Sequence, residues 1–222
     1  MFETLAIWFL IFMFYSFCGW VMEVVCSFHL HHKFINRGFL IGAVCPIYGV
    51  GAVAFSLIFY WLSNPILIFL AGFLGGAVLE YITSFLMEWL FHVRWWDYSH
   101  LPFNINGRIC LQNLICFGAI AVAVHYFVTP WLYQNLIEVY PPFLITVAGI
   151  LAVCFLCDIL LSSWLMFGVR VTVGMVTNGD DTERISERMH DALMNQGKLH
   201  RRIIKAFPNQ QPSQKPTHRR KK

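Results

Sequence analysis

The sequence predicts an all-α integral membrane protein with five transmembrane helices. Three observations point there. The chain is 58% hydrophobic and 17% aromatic but only 13% charged, where a soluble domain carries about 25% charged residues. Apolar stretches of about 20 residues recur, the length that crosses a hydrocarbon core about 30 Å thick. All 16 Lys and Arg residues fall on one side of those stretches. Hydrocarbon offers no water to unpaired backbone groups, so runs this long are read as helices. The alternating pattern of a membrane β-barrel is absent.

The predicted spans are about 4–27, 39–62, 65–92, 109–129 and 142–169, within a transmembrane domain of about 1–177. Met1–Leu10 hold Glu3 but no basic residue, and no small-residue cleavage pattern follows. The first span is therefore read as a retained helix rather than a leader. Lys33 and Arg37 follow span one, Arg94 and Arg108 follow span three, and Arg170 and the remaining basic residues follow span five. The N-terminus and the loops around Asn64 and 130–141 carry none. This places the N-terminus outside and the C-terminus in the cytoplasm of a bacterial cell membrane. Trp61 and Trp131 mark the outer interface, and Trp89, Trp95 and Trp96 the inner one.

Span two opens on Gly38-Phe39-Leu40-Ile41-Gly42 and continues through Cys45-Pro46 to Gly49 and Gly51. Pro46 removes a backbone donor and disfavours helix at Cys45. The segment reads as a Pro/Gly-broken helix, or as a simple kink. Broken helices hold ligands in many transporters.

Beyond the spans, 178–207 reads as a cytoplasmic amphipathic helical segment with Ile185, Met189, Leu193, Leu199 and Ile203 on an interrupted stripe. Residues 208–222 read as a disordered basic tail. Its charge favours anionic lipid by about 1 kcal/mol per basic residue near the surface. A net charge of only +4 argues against nucleic acid as a partner. The seven cysteines, Cys154-x-x-Cys157 included, read as packing residues. His29, His31 and His32 lack the companions of a zinc site, so no metal or other cofactor is expected.

Four carboxylates fall within the spans: Glu23, Glu80, Glu88 and Asp158. At about 1.5 Å per residue, Glu80 and Asp158 lie near mid-bilayer, and Glu23 and Glu88 lie nearer the cytoplasmic end. An ionised Asp at a helix centre costs about 2.5–3.5 kcal/mol. No span carries a Lys or Arg to offset this. Three arrangements would: protonation of the acids, loop arginines folding back, or a bound cation. The faces around them are small or polar, as in Gly72, Gly76, Glu80, Ser84 and Glu88 at every fourth position. Such faces pack against other helices rather than lipid.

A weak repeat links these pieces. Gly19-x-x-x-Glu23 with Asn36-Arg37-Gly38 parallels Gly76-x-x-x-Glu80 with Asn106-Gly107-Arg108. Both units run in the same direction, so an axis along the membrane normal would relate them.

The strings GWVMEVV, FINRGFLIGAVCPIYGVG, LEYITSFLMEWLF, WWDYS and FNINGRICL resemble the bacterial ABC-transporter type IV, or CmpB-like, permease family across about residues 15–120. The resemblance implies a membrane transport subunit. The chain has no Gly-x-x-x-x-Gly-Lys phosphate cradle, so ATP hydrolysis would come from a separate ATPase subunit. Five helices are few for a permease, which implies a homo-oligomer or larger assembly. The expected substrate-contacting residues are Glu23, Glu80, Glu88, Asn36, Arg37, Asn106, Arg108, Asp97 and Asp158, around a polar cavity open to the cytoplasm for a cationic or polar solute. Two alternatives stay open. One is an enzyme on a lipid-linked substrate, with Glu23, Glu88 and Asp97 as acid–base groups and Arg37 and Arg108 on the headgroup. The other is a membrane scaffold.

Overall fold

The computed structural model describes residues 1–31, 38–91, 93–94, 96–176 and 211–212. Helix α1 spans Phe2–His31, α2 Pro46–Ile58 and α3 Pro65–Phe91. Helix α4 (Leu111–Ala123) runs through a π-helical turn, Val124–Val128, into α5 (Thr129–Ile137), and α6 spans Pro141–Val176. Strand β1 (Val93–Arg94) pairs antiparallel with β4 (Gln211–Pro212), and β2 (Asn104–Ile105) with β3 (Ile109–Cys110). The expected segment 178–207 lies outside the described residues, as does all of 208–222 except β4.

Among the described residues, four helices are long and apolar enough to cross a bilayer: Phe2–His29, Pro65–Phe91, Leu111–Ile137 and Pro141–Phe167. Their exposed faces carry many large apolar side chains, among them Leu74, Val78, Ile82, Leu156, Leu160 and Trp164. Only 11% of the most apolar stretch of α6 is buried, at a mean hydropathy of 2.7. Soluble monomers rarely expose apolar patches beyond a few hundred Å². This is a multi-pass membrane protein.

The second predicted span differs from expectation. Residues 38–45 are not helical, and α2 has 13 residues, about 20 Å of helix. Pro46 stands at the first helical position, where its missing N–H costs nothing. It starts the helix instead of kinking one. Cys45 donates its backbone N–H to Ser16 O at 2.8 Å. Ser16 precedes the end of α1 by roughly 22 Å, so α2 begins deep in the bundle.

The fourth predicted span is displaced the other way. A loop was expected from Pro130 onward, but helix continues to Ile137. A proline inside a helix loses one backbone bond and its ring meets the carbonyl four residues back. The wider π turn over Val124–Val128 directly precedes it and gives that carbonyl room. The helix thereby passes Pro130 without ending.

Helix α4 also begins deep. Its third residue, Asn113, meets Glu80, roughly 16 Å before the end of α3. The β2–β3 hairpin fills the remaining depth beside α3. Asn106 and Gly107 turn it at φ 54° and 66°, and with Ile105 opposite Ile109 the loop holds three residues, Asn106 to Arg108. Arg108 N closes the turn on Ile105 O at 3.0 Å. A side chain at Gly107 would also strike Asp97 and Ser99.

Two packed clusters hold the helices. Ile7, Ile11, Tyr15, Val124, Leu132 and Leu144 join α1, α5 and α6. Phe55, Ile68 and Ala121 join α2, α3 and α4. A buried polar chain crosses between them: Tyr15 OH lies 2.7 Å from Thr129 Oγ1, which lies 3.1 Å from Ser56 Oγ. Helices α3 and α4 approach closely at Gly72, where an added methyl would collide with Ala121 and lie 3.2 Å from Phe117 O. Gly75, on the outer face, has nothing within 4 Å of that position. Gly72→Ala is therefore expected to lower the unfolding free energy by about 1–3 kcal/mol, and Gly75→Ala to leave it unchanged or slightly raised. Thermal unfolding of both variants in one detergent checks this. Equal losses would contradict the packing described.

Candidate functional site

Each intramembrane acid meets a segment that is not plain transmembrane helix. Asp158 on α6 accepts the backbone N–H of Ile41 through Oδ1 and of Gly42 through Oδ2, both at 2.9 Å. Ser162, one turn along, lies 3.1 Å from the Ile41 nitrogen and donates to Asp158 Oδ1 at 3.0 Å. The stretch preceding α2 is thereby fastened to α6.

Glu23 on α1 accepts the hydroxyl of Tyr48, the third residue of α2, at 2.7 Å. Tyr48 packs on Gly19, where no side chain would fit. Glu80 on α3 is 5% exposed. Its Oε1 accepts Tyr98 OH at 3.2 Å and Asn113 Nδ2 at 3.3 Å. Its Oε2 is buried with no hydrogen-bond partner. Burial raises the Tyr98 phenol far above its ordinary range. Tyr98 is thus held as a donor, and Glu23, Tyr48, Glu80, Tyr98 and Asn113 form one polar neighbourhood.

Glu88 makes a different arrangement. Arg108 Nη2 lies 2.8 Å and Arg94 Nε 3.4 Å from its Oε2. Arg108 also donates to Ser84 Oγ at 3.1 Å and lies 5.7 and 5.6 Å from the Tyr81 and Phe85 ring centres. Its backbone carbonyl accepts the Trp96 indole N–H at 3.0 Å. Through this bond Trp96, expected at the inner interface, fastens the loop. Arg94 continues to Asp97 at 3.5 Å. Partial burial raises the Asp97 carboxyl, but the two Ser99 hydrogen bonds, Arg94 and His100 outweigh it, leaving a net shift below the ordinary carboxylate range. Asn106 is exposed and donates to Tyr81 OH at 3.0 Å. Asn36 and Arg37, expected at the mouth of a cavity, lie outside the described residues.

The predicted residues therefore fall into three groups: Glu23 with Glu80; Glu88, Arg108, Asp97 and nearby Asn106; and Asp158. A recess of about 570 Å³ lies towards the other end of the bundle, lined by Trp8, Ser56, Tyr60, His125, Thr129 and Tyr133 among others. None of the predicted site residues lines it. Among the described residues, no group of three or more His, Cys, Asp or Glu is placed to hold a metal ion.

Residues 10–163, the stretch that contains all four intramembrane acids and both segments they fasten, match the family model described as Putative ABC-transporter type IV. The chain belongs to this family. No curated protein and no solved structure matches it. The family match extends past the resemblance at 15–120 to take in Asp158 and Ser162. With four apolar helices of spanning length, the family identifies a transport-related membrane protein.

Sequence reading missed Tyr48, Tyr98 and Asn113 as partners of the acids. Tyr48 and Asn113 each stand third in a helix whose N-cap is a buried cysteine, Cys45 or Cys110. That shared offset was the available signal. The Glu88–Arg108 pair, with side chains 15% and 11% exposed, should be strongly coupled. In a double-mutant cycle of Glu88→Gln and Arg108→Gln, unfolding measurements are expected to give a coupling of about 1–3 kcal/mol. Additive effects would show that the pair is a surface contact only.

Proposed function

We propose that this chain is a permease-like transport subunit whose polar core, built on Glu23 and Glu80 and flanked by 38–45 and 93–110, accepts a cationic or polar solute from the cytoplasmic side. One observation carries the reading. Two non-helical segments are hydrogen-bonded to carboxyl groups that sit well inside helices of spanning length. Irregular backbone at that depth is tolerated where it is covered by protein or lines a wet passage, and transporters use such breaks to bind solutes. The N-terminal ends of α2 and α4 bring partial positive charge near Glu23 and Glu80, which helps hold the site without Lys or Arg.

On this reading the extended 38–45 and the short α2 together make the fifth crossing, the charge asymmetry puts the N-terminus outside, and residues 1–177 form the transport domain. Segment 178–207 and the basic tail face the cytoplasm. A separate ATPase subunit docks on that face, and two or more copies of the chain assemble. The alternative enzyme reading needs Arg108 free for a headgroup and Glu88 free for proton transfer. Their 2.8 Å ion pair engages both.

The test is ATP-dependent uptake of a labelled amine and amino-acid panel into inside-out vesicles that carry the chain with its co-purifying proteins. The expected result is uptake of at least one cationic solute, reduced about tenfold or more by Glu23→Ala or Glu80→Ala, equivalent to about 1.4 kcal/mol. Turnover of a lipid-linked substrate without solute flux would contradict the proposal.

A further inference from the structure

Among the described residues, Glu80 is the acid with a buried oxygen that has no hydrogen-bond partner. It is 5% exposed, and Oε2 is sealed from solvent with no donor within reach. Oε1 has two donors, both neutral and both beyond 3 Å. Two arginines lie nearer the end of α3, but Arg108 is bound to Glu88 and Ser84, and Arg94 to Glu88 and Asp97. The groups facing Glu80 from neighbouring elements add no cation among the described residues. They are Glu23 on α1, Tyr48 at the start of α2, Tyr98 in the loop and Asn113 on α4.

An ionised carboxylate here would leave one oxygen unsolvated beside a second carboxyl group. Burying an unpaired charge is far costlier than burying a neutral polar group, and two neighbouring carboxyl groups resist double ionisation. A metal ion would need several more oxygen ligands at about 2.0–2.6 Å, which this closely packed shell does not offer. The cation that needs no room is the proton.

We propose that Glu80 is a proton-binding site: its Oε2 carries a dissociable hydrogen, and loss of that hydrogen requires segment 96–110, which brings Tyr98 to the carboxyl, to open and admit water. In the closed arrangement Glu80 is a neutral acid, accepting hydrogen bonds on Oε1 and protonated on Oε2. On opening, the proton passes to water and leaves the carboxylate. The proton follows from the packing alone. If the transport reading also holds, an incoming cation would displace it from the same carboxyl group.

Infrared spectroscopy of the full chain in lipid nanodiscs tests this. The expected result is a protonated-carboxyl C=O band that shifts in heavy water, persists at neutral pH and is absent from Glu80→Gln. Glu88→Gln should leave the band in place. The isosteric amide should also leave thermal stability near wild type, because it replaces a neutral group with a neutral group. A carboxyl region unchanged in Glu80→Gln would overturn the proposal. If that variant fails to fold, wild-type labelling with dicyclohexylcarbodiimide decides. This apolar reagent adds to protonated carboxyl groups, the acid hydrogen passing to its nitrogen. A Glu80 adduct that grows as pH falls supports the site, and no Glu80 adduct at any pH overturns it. Neither measurement depends on solute flux, so either can succeed where the transport reading fails.

Discussion

Backbone amides at membrane depth must find a partner inside the protein, because the hydrocarbon offers none. Most of this chain meets that demand with long helices. Two stretches do not, and carboxylates supply or organise what they lack. Asp158 accepts two consecutive amides, those of Ile41 and Gly42. The carboxyl group and the two amides thereby satisfy each other's hydrogen-bonding needs.

The acids divide by how they are compensated. Glu88 has full charges from Arg108 and Arg94, Asp158 has amide dipoles and a serine, and Glu23 has at least a tyrosine hydroxyl. Glu80 has only two neutral donors on one oxygen. The same residue types thus meet different partners according to where the fold places them. Two successive helix pairs echo each other in this. Helix α1 with α2, and α3 with α4, each place a glutamate against the third residue of a cysteine-capped helix that starts deep in the bundle. The parallel motifs Gly19-x-x-x-Glu23 and Gly76-x-x-x-Glu80 are the sequence trace of that correspondence.

Long apolar helices were legible in the sequence because hydropathy over about 20 residues depends on composition and not on partners. The predicted α3 ends within one residue of the observed helix. Residues 38–45 were less legible. Their composition is as apolar as a helix, and only tertiary hydrogen bonds to Ser16 and Asp158 decide that they are not one. Pro130 misled for the converse reason, since a π turn that no single residue encodes lets the helix continue. Arg108 folding back on Glu88 was foreseeable, because a loop arginine near a shallow acid has few better partners. Tyr98 reaching Glu80 was not, because it depends on the hairpin lying along α3 rather than below it.

Amide hydrogen exchange at Ile41 and Gly42 in lipid nanodiscs tests the clamp most directly. Wild-type protein should protect both amides strongly. Asp158→Ala should release both while the α6 backbone stays protected, since helix bonds do not need the carboxylate. Equal protection in the two proteins, or fast exchange in wild type, would show that residues 38–45 are held by something other than Asp158.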